Sequence, residues 1–267
     1  MPTSILSDVF MQTNLLWSSQ SQACKVLMVY GALMCLAFFL TFWVSQSDAR
    51  TLREVGVWIK PMKFMAATAL FVWTTVVLVL AVQTNVAQRE GFDATFNWIA
   101  GLIIATSLFE VVYITYQGAQ GQPSHYNNSD ALHTLLFGLM GIAAVGLTFS
   151  QVWLAWEIWK THGAQEISVL TWGVLLGLVL TFVLGTVSGF LLGAHQPPAG
   201  QGLPFVGWHL HRDIRPAHFL GVHAQQIIPI AGLLAEKFAG GNAAMTLTAV
   251  TGVYVSAWLG LTAWALN

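Results

Sequence analysis

Seven stretches of the chain are apolar over about 20 consecutive positions or more, near residues 25–45, 58–83, 95–117, 130–158, 168–193, 215–237 and 243–265. A helix of that length crosses a hydrocarbon core of about 30 Å. Inside lipid the backbone must satisfy its own polar groups, which leaves helices or a closed barrel, and these runs lack the strict alternation of barrel strands. The pattern predicts an all-α, polytopic integral membrane protein, a seven-transmembrane-helix bundle. No linker, repeat or low-complexity segment interrupts it, so residues 1–267 are expected to form a single transmembrane domain. Residues 1–23 hold no Lys or Arg and so lack the basic start of a signal peptide, and the first span is expected to be retained. Ile5, Leu6, Val9, Phe10, Leu15, Leu16 and Trp17 suit a short interfacial segment ahead of the bundle at 25–265.

Composition agrees with the pattern. The chain is 56% hydrophobic and 8% charged, against about 25% charged in soluble domains. A net charge of −1 excludes the basic footprint of a nucleic-acid binder. Cys24 and Cys35 stand eleven residues apart on one predicted helix, a separation of about 16 Å that no disulfide spans.

Seven crossings put the connections after spans one, three and five on the same side as the C-terminus, called here the odd face. Seven of the eight histidines map to it or to helix ends opening onto it: His125, His133, His195, His209, His211, His218 and His223, with only His162 opposite. Ionisable groups at membrane depth are costly and mark function, so this asymmetry is the main functional signal. Lys and Arg divide six to four between the faces. That split is too shallow to orient the bundle by the excess of basic residues in cytoplasmic loops, because four of the six are themselves candidate ligand-binding groups.

The candidate chemistry centres on Arg212–Gln226, RDIRPAHFLGVHAQQ. On an uninterrupted helix Arg215, His218, His223, Gln225 and Gln226 fall within an arc of about 160°, leaving Leu220 and Ile227 outside it. Asp213 ahead of Pro216 is a helix-start signal. Span two begins WIKPMKF, with Lys60 and Lys63 on one face, an arrangement suited to an anion or to lipid headgroups. Span three carries Thr106, Glu110, Tyr113 and Gln117 as one stripe. A carboxylate that deep must be paired, protonated or wet, so Glu110 is expected to face the interior. The connection GAQGQPSHYNNSDALH offers His125 as a ligand or base, with Asn128 or Ser129 able to cap span four.

Two function classes compete. In the first, a membrane redox protein holds haem or another transition-metal centre (Fe, Zn or Cu) through His125, His218 and His223. Lys60, Lys63, Arg212, Arg215 and Gln226 then bind the cofactor's carboxylates or an anionic partner, and Glu110 and Asp213 act as acid–base groups. A quinone, a lipid or a small anionic substrate is the expected partner besides the bilayer. In the second, three imidazoles hold Zn²⁺ and an activated water for hydrolysis or group transfer on a lipid. Seven spans with a late histidine pair resemble the alkaline-ceramidase and progestin/adipoQ-receptor hydrolases, but the pair in HFLGVH is spaced five apart rather than four, and no early acidic and histidine set accompanies it. A small-solute transporter is the third class. A retinal protein is excluded because the last span has no lysine for a Schiff base.

Overall fold

The computed structural model describes residues 20–82, 89–162, 167–204 and 206–267; the expected interfacial segment before residue 20 lies outside the described residues. Helices α1 (Gln22–Ser45), α2 (Ile59–Val82), α3 (Arg89–Gln120), α4 (Ala131–His162), α5 (Val169–Ala194) and α8 (Ala243–Leu266) are each long and apolar enough to cross a membrane. The protein is thus an all-helical, multi-pass membrane-type bundle with six candidate spanning helices among the described residues. Its outer surface is lined by large apolar side chains such as Trp43, Trp98, Ile142, Phe190 and Val253, as a surface solvated by lipid requires. Cys24 and Cys35 are not joined by a disulfide.

The sixth apolar run differs from expectation. Instead of one helix it forms α6 (Arg215–Val222) and α7 (Ala224–Phe238), interrupted at His223. The two run antiparallel along the whole of α5. Glycines set the closeness of that contact: a Cβ on Gly221 would lie 2.8 Å from Leu184 backbone atoms, and one on Gly177 would lie 2.8 Å from the Pro229 ring and 3.0 Å from the Ala224 carbonyl oxygen. At the far end Leu170 N–H donates to the Glu236 carboxylate at 2.7 Å. The interruption is held from both sides, Gln225 N–H donating to Thr181 Oγ1 on α5 at 2.8 Å and the Tyr254 hydroxyl of α8 donating to the Leu220 carbonyl.

The odd-face connections interlock. The first holds a hairpin, β1 (Thr51–Leu52) with β2 (Val55–Gly56), which the apolar pattern did not anticipate. Its turn residues Arg53 and Glu54 both sit at positive φ, 52° and 66°, in a turn type that usually takes Asn-Gly. Such a backbone persists when its surroundings determine it. Here the Arg53 guanidinium donates to Pro197 O at 2.6 Å, and Arg53 O accepts from Gly200 N–H at 3.1 Å. Lys63 Nζ likewise donates to Val206 O at 2.9 Å, and the Tyr126 hydroxyl to Leu192 O. At α4 the cap is Asp130, whose carboxylate accepts from His133 N–H at 2.9 Å, rather than Asn128 or Ser129.

Overpacking a close-packed contact destabilises by about 1–3 kcal/mol and more for a bulky group against backbone. Gly221→Leu is therefore expected to lower the thermal midpoint in detergent sharply, while Gly252→Leu, at a position with open space around it, is expected to leave it unchanged.

Candidate functional site

The polar residues singled out in the sequence gather at the odd-face end of α2, α3, α5 and α6, under the third and fifth connections. Glu110 is buried on α3, 7% exposed, and forms no hydrogen bond or ion pair with other described residues; the opposite charge whose field it feels is Lys60 of α2. Lys60 also acts on His125, which senses His218 in turn, and Lys63 faces the like charge of Arg215. Three helices and a loop thus bring Glu110, Lys60, His125 and His218 into a chain of electrostatic neighbours, each within reach of the next. On the α3 stripe Gln117 donates to the Tyr113 hydroxyl at 2.9 Å, while Thr106 bonds back to its own helix.

The neighbours of the imidazoles set their tautomers. Ser188 on α5 donates its hydroxyl proton to Leu184 O at 2.6 Å, so toward His218 Nδ1 at 3.2 Å its oxygen accepts. His218 therefore carries its proton on Nδ1 and presents a lone pair at Nε2. The carbonyl oxygen of Gln226 takes the Nδ1 proton of His223 at 3.3 Å, its amide nitrogen donating to Thr74 of α2 at 3.1 Å; His223 too presents Nε2. Nothing along the chain marks Ser188 and Thr74, since a lone hydroxyl in an apolar span reads as packing. Gln226 orients an imidazole rather than standing free for a ligand.

The interruption alters the expected arc. Past His223 the wheel no longer holds; before it the helical turn is intact, and Phe219, four residues ahead of His223 and on the same face, stacks on it with ring centroids 4.1 Å apart and meets Trp208 at 5.4 Å. His125 is framed by Phe64 and Phe137, at 6.2 and 5.8 Å. Asp213 does not face this cluster as a free acid. Its carboxylate, 3% exposed, takes Arg215 Nε and Nη2 at 2.8 and 2.7 Å and the His209 backbone N–H at 2.7 Å. Arg212 is exposed at φ 54°, and its side chain forms no hydrogen bond or ion pair with described residues. His133 pairs with Asp130 at 2.6 Å, and His211 lies against Trp264. With Lys60, Lys63 and Arg215 against Glu110 and Asp213, and the imidazoles neutral, the site has one positive charge in excess. Among the described residues no three His, Cys, Asp or Glu side chains converge as a metal-binding group.

Two groups outside the spans make the assembly pH-sensitive. Burial raises the Asp213 carboxyl, but hydrogen bonds from Arg215 and the His209 N–H outweigh it and hold the group below the usual carboxylate range. Its stabilisation is complete above the unfolded value of about 4 and is lost as the pH falls through the folded value. Removing one partner of a buried pair costs about 3–5 kcal/mol, so Asp213→Asn is expected to melt well below the wild type at pH 7 and to approach it in strong acid. Burial and then the Lys60 ammonium push His125 down to about 3. Between pH 6.5 and 3 the unfolded chain binds a proton that folded His125 refuses, so stability falls on acidification by up to about 1.4 kcal/mol per pH unit. His125→Gln is expected to flatten the thermal midpoint over that window; an unchanged slope would remove the assignment.

Comparison of the chain with family models, with curated proteins and with solved structures found no match.

Proposed function

We propose that the protein is a membrane redox protein whose odd-face site binds a histidine-ligated, carboxylate-bearing cofactor of the haem class. The observation that carries the reading is the imidazole arrangement. The Nδ1 protons of His218 and His223 are each taken by a neighbour, Ser188 and Gln226, leaving Nε2 lone pairs, the state in which histidine ligates a metal. Haem iron needs one or two such ligands, and His218 on α6 and His125 in the third connection approach from different elements. The excess positive charge answers carboxylates: Lys63 and Arg215 at the mouth and Lys60 inside are placed to meet propionates. Phe64, Phe137, Phe219 and Trp208 supply ring surface beside the histidines. Haem would supply one-electron chemistry; the chain's own part is to ligate, to neutralise the carboxylates and, through Glu110, to hold a proton beside Lys60. In the same reading α6 and α7 together form a seventh crossing. Arg215–Phe238 spans 24 residues, about 36 Å at 1.5 Å per residue, and follows α5 from end to end.

The zinc-hydrolase reading needs three protein ligands on one ion and ranks lower, since no such group converges among the described residues. A proton-linked transporter of a small anion is favoured by one observation, the opposed charges of Lys60 and Glu110 within the bundle.

The test is an absorption spectrum of protein purified in mild detergent, before and after dithionite, with Fe, Zn and Cu quantified on the same sample. The expected result is a Soret band that shifts on reduction, near-stoichiometric iron, and loss of both in His218→Ala without loss of membrane insertion. Colourless protein carrying zinc would transfer the site to the hydrolase reading, and colourless metal-free protein to the transporter.

A further inference from the structure

Gln225 carries more polar groups than its surroundings satisfy. It is fully buried, 0% exposed, and lies just past the α6–α7 interruption, where its backbone N–H is bonded to Thr181. Thr181 is near the midpoint of α5 (Val169–Ala194), a candidate spanning helix, so this level is the middle of the bundle rather than its rim. The Gln225 carbonyl has lost the donor a helix would supply, because the residue four positions on is Pro229, which has no N–H. Its side chain is in the same state: neither Nε2 nor Oε1 has a hydrogen-bond partner among the described residues.

The neighbouring polar groups are already engaged. The Leu220 carbonyl accepts from Tyr254, the His223 N–H bonds Phe219 O at 3.1 Å, and Gln226 joins His223 to Thr74. None of these groups bonds the Gln225 side chain. Buried polar groups in native proteins are almost always bonded, and hydrocarbon offers no bulk solvent to make up the deficit. The missing partner must both donate and accept, because the amide carries donors and an acceptor side by side. A cation or an anion answers one half only. Water answers both, and a buried water typically makes about three bonds to groups otherwise unsatisfied.

We propose that the α6–α7 interruption is a water-binding site in the middle of the bundle, with Gln225 as its main ligand through Nε2, Oε1 and the backbone carbonyl. The interruption thereby ends a polar seam that runs inward from the odd face through Arg215, His218 with Ser188, and His223 with Gln226 and Thr74. Water at its inner end gives His223 a hydrated neighbour on the side away from the mouth. The proposal does not depend on what His218 ligates, so the spectral test of the cofactor and the test below fail separately.

The experiment is water-selected NMR on the full chain, labelled with ¹⁵N-glutamine and held in lipid nanodiscs. The Gln225 side-chain amide, assigned by its loss in Gln225→Met, is expected to show direct cross-relaxation with water. The Met variant is expected to lose that signal and melt several degrees lower, since it removes the groups that hold the water and strands the carbonyl. A Gln225 amide without a water cross-peak would overturn the proposal. So would a Met variant that melts higher than the wild type, the result for an amide buried dry. Should Gln225→Met fail to fold, Gln225→Asn supplies the assignment, and the wild-type cross-peak alone decides.

Discussion

Within a bilayer each backbone N–H and C=O must find its partner inside the protein, and most of this structure follows from that demand. Six segments meet it by remaining helical for 24 residues or more. The segment from Arg215 to Phe238 meets it differently. Its helix is interrupted at His223, and the groups released are taken up by hydroxyls from both sides, Thr181 on α5 and Tyr254 on α8. A break in lipid without those two hydroxyls would leave each orphan group costing several kcal/mol. The interruption is therefore a tertiary feature, possible only where α5 and α8 flank it.

The same constraint explains why α5 and α6–α7 lie so close. Hydroxyl caps reach a neighbouring backbone only if the helices approach, and approach requires small residues at the contact. Gly177 and Gly221 supply it, the first against Pro229 and the Ala224 carbonyl, the second against the Leu184 backbone. Close contact then fixes the rotation of α6, which turns His218 toward Ser188. The tautomer of His218 is thus a downstream consequence of glycine packing a few residues away. Ser188 itself is held by Leu184, the residue that Gly221 accommodates.

How much of this was legible in the sequence follows from how far each cause reaches along the chain. The apolar runs are local: six coincide with the long helices, and the run at 215–237 coincides with the pair α6 and α7. The interruption is not local: Thr181 lies 44 residues from the N–H it caps and Tyr254 lies 34 from the carbonyl it serves. Pro229 was a visible signal, since it strips the Gln225 carbonyl of its donor, but a proline in an apolar run reads equally well as a kink. The site separates in the same way. Lys60, Glu110, His125 and His218 stood out because ionisable groups are scarce in such a chain. Ser188 and Thr74 did not, because a hydroxyl in a span ordinarily bonds back to its own helix, as Thr106 and Thr115 do. The hairpin at Arg53 and Glu54 was hidden for a related reason: its turn carries residues that disfavour its own backbone and is held by contacts with Pro197 and Gly200.

Those contacts bear on access to the site. The hairpin turn, the fifth connection and Lys63 are tied together through backbone carbonyls of Pro197, Arg53 and Val206. Hydrogen bonds to carbonyls hold loop shape while leaving cationic side chains free of carboxylate partners. Two loop carboxylates are exceptions: Asp48 is paired with Arg50, and Asp213 is used up on Arg215 and the His209 backbone. Lys63 and Lys60 thus stand at the mouth and just inside it without an ion pair among the described residues. The loops close over the histidines without neutralising the cations beside them, which is the electrostatic condition for an anionic group to be held there.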